Sequence, residues 1–169
     1  MTIARGRANR IAVDAASHAR SCRELCDKAR VGSLGTIARD LPGLPFVTLV
    51  SVAFDERGRA LLLLSRLAEH TTNLEASSHA SLLVSEAAGG ETDPLASGRV
   101  TLVGTCARVP APDAGACKTV FLRKHPEAEA YAAFADFGFF RLEPAHVRYV
   151  GGFGRMSWVH VAAYVDAWK

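Results

Sequence analysis

Residues Phe46–Leu64 read FVTLVSVAFDERGRALLLL, and this stretch decides the class of fold. Phe46 to Phe54 is rich in β-branched and aromatic residues and carries neither Gly nor Pro, which is strand composition. Asp55-Glu56-Arg57-Gly58 supplies turn chemistry. Ala60 to Leu64 then resumes as an unbroken aliphatic run, the pattern of a strand buried on both faces. The two runs make a hairpin.

On the N-terminal side, DLPGLP at 40–45 has two prolines and a glycine that force a loop, and VGSLGTI at 31–37 before it reads as another strand. Asp14 to Arg30 (DAASHARSCRELCDKAR) has no Gly or Pro and an acidic residue where a cap belongs, which predicts an amphipathic helix behind a flexible tail at 1–13. Downstream, RLAEHTTNLEASS at 66–78 suits a short helix, SLLVS at 81–85 a strand, and AAGGETDPLASG at 87–98 a loop. Arg99–Val109 (RVTLVGTCARV) is the longest strand-like stretch, with Gly104 marking a bulge or bend. Pro112–His125 and Glu127–Phe134 read as helices, with Pro126 in the first turn of the second. FGFFRLEP at 137–144 and HVRYVGG at 146–152 close the chain as two further strands. Six or seven strands, a few short helices and no regular strand-helix alternation predict a mainly β, α+β protein, a small antiparallel barrel in one domain over 1–169.

The composition narrows the function. At 49% hydrophobic and 22% charged the chain is too apolar to be disordered, and a net charge of +3 with no basic stripe speaks against nucleic acid as a partner. The longest aliphatic run is too short to span a bilayer and the start lacks the apolar core of a secretory signal, so a cytoplasmic location is expected; an Arg-rich, acid-poor start can also resemble a transit peptide. Cys22, Cys26, Cys106 and Cys117 form no C-x-x-C pair, so reduced thiols rather than zinc ligands are expected and no metal site is assigned. His18, His79, His125, His146 and His160 show no ligand spacing and read as surface or capping residues. The P-loop, dinucleotide-fold, zincin and nucleophile-elbow signatures are absent.

The densest polar cluster is Ser65-Arg66-Leu67-Ala68-Glu69-His70-Thr71-Thr72-Asn73-Leu74. A strand end running into a helix start gathers hydroxyls, a guanidinium, an imidazole and free amides, as a phosphate monoester requires. The same Ser and Thr residues also serve as ordinary helix caps. In GGFGRMSW at 151–158, the glycines permit close backbone approach, Arg155 suits an anion, and Trp158 reads first as a core residue.

The run LLLLSRLAEHTTNL, with PFVTLVSVAFDERG before it and SLLVSE, RVTLVG and YVGGFGRMSW after it, resembles the pyridoxamine 5'-phosphate oxidase-like family of FMN-binding split barrels. The resemblance is closest to the branch associated with haem-iron utilisation and covers residues 29–158. It implies a six-stranded antiparallel split barrel of the FMN-binding type that forms a homodimer with FMN at the interface. Carried over by position, Ser65, Arg66, His70 and Thr71 would hold the FMN phosphate. Val47, Thr48 and Ser51 lie on the strand that faces the flavin ring in relatives, Arg99 opens a strand that brings a polar flavin contact, and Arg155 is a further contact. His70 stands where many relatives have Lys or Arg, so flavin affinity would fall as pH rises through its titration range. No catalytic residue stands out, and no second phosphate site suits pyridoxamine phosphate. The resemblance therefore implies an FMN flavoprotein, an oxidoreductase on a small molecule or in haem-iron utilisation. A haem- or flavin-binding split barrel without turnover is the alternative.

Overall fold

The computed structural model describes residues 17–86, 93–152 and 154–169. The expected tail, the Asp14 cap and residues 87–92 of the predicted loop lie outside them. Helix α1 covers 17–28. The strands are β1 (Val31–Ile37), β2 (Pro45–Ser51), β3 (Ala53–Phe54), β4 (Ala60–Ser65), β5 (His79–Ser85), β6 (Gly98–Arg108), β7 (Phe137–Gly151) and β8 (Met156–Val159). Helices α2 (Glu69–Ala76), α3 (Ala111–Lys124) and α4 (Val161–Asp166) and two 3₁₀ turns complete the described chain. Among the described residues no helix is long and apolar enough to cross a membrane.

The strands form one antiparallel sheet in the order β2-β1-β5-β6-β7-β4-β3, with β8 beside β7. Strands β2 and β3 occupy opposite ends of that order yet are joined through Val52 alone. The sheet therefore has to curl until its two edges meet, which makes a half-barrel of the split-barrel type.

Among the described residues eight strands stand where six or seven were expected, the seven named segments having gained two and lost one by merger. Phe46–Phe54 breaks at Val52, where the chain passes from one sheet edge to the other, and Met156–Val159 adds a short strand on β7. The two strands predicted at 137–144 and 146–152 are instead one, the 15-residue β7. It runs through Pro144 because the register with β6 slips between Val103 and Gly104: Val103 pairs with His146 and Gly104 with Pro144, leaving Ala145 without a partner. A proline beside a bulge gives up little, since the ladder is already interrupted there. The helix expected at Glu127–Phe134 shortens to a 3₁₀ turn, Pro126–Ala130, after which Tyr131 packs on Phe137 at 5.1 Å between ring centroids.

The aliphatic run of β4 is buried on both faces as predicted, and the two faces serve different cores. Leu62 and Leu64 point into the curl with Leu34, Leu82, Leu102 and Leu142, where α1 adds Cys22, Leu25 and Cys26 and α4 adds Tyr164. The Tyr164 hydroxyl donates to the Gly58 carbonyl at 2.7 Å, holding α4 to the β3–β4 turn. Leu61 faces outward, into a second cluster with Phe121 and Cys117 of α3 and Phe139 of β7. All four cysteines are free and buried. Burial pushes the Cys22 and Cys106 thiols up to about 12, far from the thiolate form that reactivity needs.

Candidate functional site

The turn from β4 into α2 carries four of the expected cofactor residues, and hydrogen bonds fix its local chemistry. The Ser65 hydroxyl donates to Asp136 Oδ2 at 2.8 Å and accepts from the Leu67 amide at 3.1 Å. Thr71 is fully buried, and its hydroxyl donates to the Ser65 carbonyl at 2.7 Å. The Arg66 amide donates to the Asp136 carbonyl at 2.7 Å, while its side chain is exposed. Two of the hydroxyls thus tie the turn to itself and to the segment before β7. The half-buried Asp136 carboxylate stands beside Ser65, an unfavourable neighbour for a phosphate dianion, and Arg66 is the one full cation of the four.

His70 faces β2, with Nδ1 3.0 Å from Thr48 Oγ1, so two expected cofactor residues from different elements meet. With Ser51 and Ser65 it lines a cleft of about 330 Å³, walled by Leu49, Tyr131 and Phe137. Burial holds the His70 imidazole below its ordinary value of 6.5, which favours the neutral ring. The sign of the linkage follows. The unfolded chain takes up the proton first as pH falls through 6.5, so the contribution of His70 to stability is full above that value and declines below it. We expect His70→Gln to flatten that part of a plot of urea midpoint against pH; an unchanged slope would contradict burial as the cause.

Asn73, one turn on, has a structural part that its place in the polar cluster did not announce. It is fully buried; its Nδ2 donates to Thr36 Oγ1 at 3.1 Å and its Oδ1 accepts from the Arg39 amide at 2.9 Å, so it fastens α2 to the end of β1. Asn73→Ala would take the acceptor from the Arg39 amide and the donor from the buried Thr36 hydroxyl, at a cost of about 1–3 kcal/mol in urea unfolding. Its one visible signal was an amide next to the apolar Leu74 inside a short helix.

The remaining expected residues lie elsewhere. Val47 is 64% exposed on the outer face of the sheet, the face opposite the core. There Val31, Leu49 and Leu83 are exposed as well, forming an apolar surface along β2, β1 and β5. Arg99 borders the same surface. Its Nη1 donates to the Leu95 and Ser97 carbonyls at 3.2 and 3.3 Å, and with Lys28 it rims a groove of about 880 Å³ whose walls include Val31, Leu49 and Leu83. A second cleft of about 550 Å³ on this face runs over Gly35, with Ile37, Val47 and Val103 as its apolar lining and His79 and His146 among its polar groups. Arg155 lines a small cleft with Glu24 and Tyr149 that adjoins the groove of about 880 Å³, the two sharing Leu25, Lys28 and Glu86. Trp158, read from the sequence as a core residue, is 64% exposed because β8 turns that side chain to the outer face.

Known proteins share both the sequence and the shape. The chain is 36% identical over 121 residues to the chloroplastic non-canonical haem oxygenase HOZ of Arabidopsis thaliana, a match over 72% of this chain and 36% of the plant protein. A haem-binding protein from Mycobacterium smegmatis superposes with a TM-score of 0.79 at 34% identity, covering 90% of this chain and 60% of that one. The haem storage protein HutZ of Vibrio cholerae shares the fold at 22% identity and a TM-score of 0.57, over 73% of this chain and 87% of its own. The chain thus spans only part of the plant and mycobacterial proteins. The expected link to haem utilisation agrees with the plant and mycobacterial relatives, while the family whose model matches is not the flavin-specific one expected. Residues 13–166 match the CREG beta-barrel family, and the chain is a member of it.

Proposed function

We propose that the protein binds haem on the outer face of its half-barrel and serves haem handling, assembled as a homodimer through the same face. The observation that carries this is the groove of about 880 Å³ rimmed by Lys28 and Arg99 against one carboxylate, Glu86, which accepts from the Gly98 amide: an apolar surface whose edge is net cationic suits a flat, apolar ligand bearing two carboxylates. The donor set fits as well, since the adjoining cleft is lined by histidine, an ordinary haem-iron ligand. The 34% identical mycobacterial haem-binding protein supports the reading. Haem would supply the redox chemistry of its iron; the chain's own part is to position it, exclude water with Val31, Leu49 and Leu83, and neutralise carboxylates with Lys28 and Arg99. Four large exposed apolar side chains on one sheet face, Val31, Val47, Leu49 and Leu83, support dimerisation there.

A flavin-dependent oxidoreductase is the second reading, favoured by the Thr48–His70 contact at the mouth of the 330 Å³ cleft. One titration separates the two. Purified protein titrated with ferric haem should give a saturable Soret change at one haem per chain, whereas added FMN should leave flavin fluorescence unquenched. Flavin uptake without haem uptake, lost in a His70→Ala/Thr71→Ala double variant, would reverse the assignment. Light scattering should give twice the chain mass; a monomer would remove the dimer from the proposal.

A further inference from the structure

Sheet register places a trough across the outer face that no single stretch of sequence reveals. Val47 pairs with Gly35, Gly35 with Ser81, Ser81 with Val103, and Val103 with His146, so five strands contribute one residue each to a single row. Within the row Gly35 has no side chain and Ser81 a short one, which sinks the floor between Val47 at one end and His146 at the other. The next row ends Leu83, Thr101, Arg148, Trp158 by the same pairing.

At this end of the trough His146 also lines a neighbouring cleft of about 340 Å³, which it shares with Trp158 and His160. His146 is exposed, and its ring meets the exposed Trp158 ring edge-on, centroids 6.3 Å apart at 78°. The Arg148 guanidinium lies 5.5 Å over the centre of the same indole and forms no ion pair among the described residues. No hydrogen bond engages either His146 ring nitrogen among the described residues, whereas His79, also in the cleft, has Nδ1 3.3 Å from Ser77 Oγ.

We infer that His146 would hold haem iron, with the Trp158 indole as an aromatic wall beside it and Arg148 as a partner for a haem carboxylate. An imidazole with both nitrogens free at the end of an apolar trough has the chemistry of an iron ligand. The bulge at Ala145 sets its aim, because the extra residue rotates β7 locally and turns His146 into the row of Val103. An aromatic plane and an unpaired guanidinium beside the imidazole supply the two other contacts that a porphyrin dicarboxylate takes. This inference rests on the haem-binding reading above and goes further, to an iron ligand in the cleft that adjoins the 880 Å³ groove, with Arg148 added to Lys28 and Arg99 as a cation for the carboxylates.

The test is a titration of the full chain with ferric haem, followed by absorption and electron paramagnetic resonance, for wild type, His146→Ala, His79→Ala and Arg148→Gln. His146 is exposed on a strand, so its removal leaves the fold intact, which circular dichroism checks. Expected are a loss of the imidazole-ligated signature and roughly tenfold or greater weakening of haem affinity in His146→Ala. Added free imidazole should restore the spectrum. His79→Ala should retain the wild-type spectrum, and Arg148→Gln should weaken binding without changing the iron signature. If wild type takes up no haem, the functional reading falls and this inference with it. If wild type binds haem and His146→Ala keeps the same spectrum and affinity, only the inference falls. It falls equally if His146→Ala alters the dimer equilibrium while haem binding stays unchanged, or if several haems bind per chain irrespective of the substitutions.

Discussion

Replacing Gly104 by valine should destabilise the protein by about 3 kcal/mol or more, at or beyond the upper end of ordinary overpacking costs. A Cβ at this position would lie 2.0 Å from the Glu143 carbonyl oxygen and 3.0 Å from the Ala145 amide nitrogen. Both obstacles are backbone, and both belong to the strand on which β6 is registered. A flexible side chain could swing aside, but here relief requires β7 to move away just where it carries Pro144 and its bulge. Gly115 provides the contrast within the same chain. It lies inside α3, and a Cβ there would meet nothing within 4 Å. Gly115→Ala should therefore stabilise by roughly 0.5–1 kcal/mol, the helix-interior difference between the two residues. Urea unfolding of the two variants should move the midpoint in opposite directions. A Gly104→Val midpoint within error of wild type would mean that the bulge is not fixed by this close approach.

Gly104 also shows how far the sequence could be read. A glycine in the middle of a strand-like stretch signalled an irregularity on β6, but its partner lies some forty residues away, and only pairing shows that the slip lets one continuous strand pass through Pro144. Proline followed by a new apolar run is the ordinary mark of two strands, so the division at Pro144 was the locally sound reading. The aliphatic run Ala60–Leu64 was legible because burial on both faces leaves an unbroken pattern, and the hairpin chemistry at Asp55–Gly58 held. The break at Val52 was not legible, because a residue that crosses between sheet edges keeps the same β-branched composition as its neighbours.

The clustering of the expected cofactor residues was legible in a different way. Ser65, Arg66, His70 and Thr71 fall together on one turn because they are close in sequence, and Thr48 joins them because β2 passes His70. What sequence could not convey is where their donors go: the Thr71 hydroxyl is consumed within the turn and Ser65 is taken by Asp136, a residue 71 positions away. The outer-face trough lay beyond local reading altogether. Its row draws from five strands, and an isolated His146 carries no spacing signal. Trp158 misled for a related reason: an aromatic next to glycines suits a core or a ligand wall equally, and only the side to which β8 turns decides.

Phe121→Ala should cost about 3–5 kcal/mol, the range for removing a buried aromatic ring. For a chain of this length that corresponds to a fall in melting temperature of roughly 6–20 °C. Phe121 is fully buried, with its ring 5.8 Å from Phe139 in an edge-on contact and 4.8 Å from His125. The cost extends beyond lost apolar contact, because the neighbouring imidazole holds the fold at its most constrained point. His125 Nε2 lies 2.9 Å from the Val52 carbonyl, and Val52 alone joins the two edges of the sheet. On its other side, Nδ1 lies 3.1 Å from Glu127 Oε1, which Arg30 also reaches at 2.8 Å. A cavity at Phe121 frees the ring of His125 to leave Val52, so exchange of amides in β2 and β3 should rise together with those of α3. Phe134→Ala, at a ring that is 57% exposed, should stay within about 0.5 kcal/mol. Equal losses in the two variants, or a Phe121→Ala loss below about 1 kcal/mol, would show that α3 merely covers the half-barrel. A large loss with protection in β2 and β3 unchanged would leave the second core intact as an idea and break its coupling to the sheet closure.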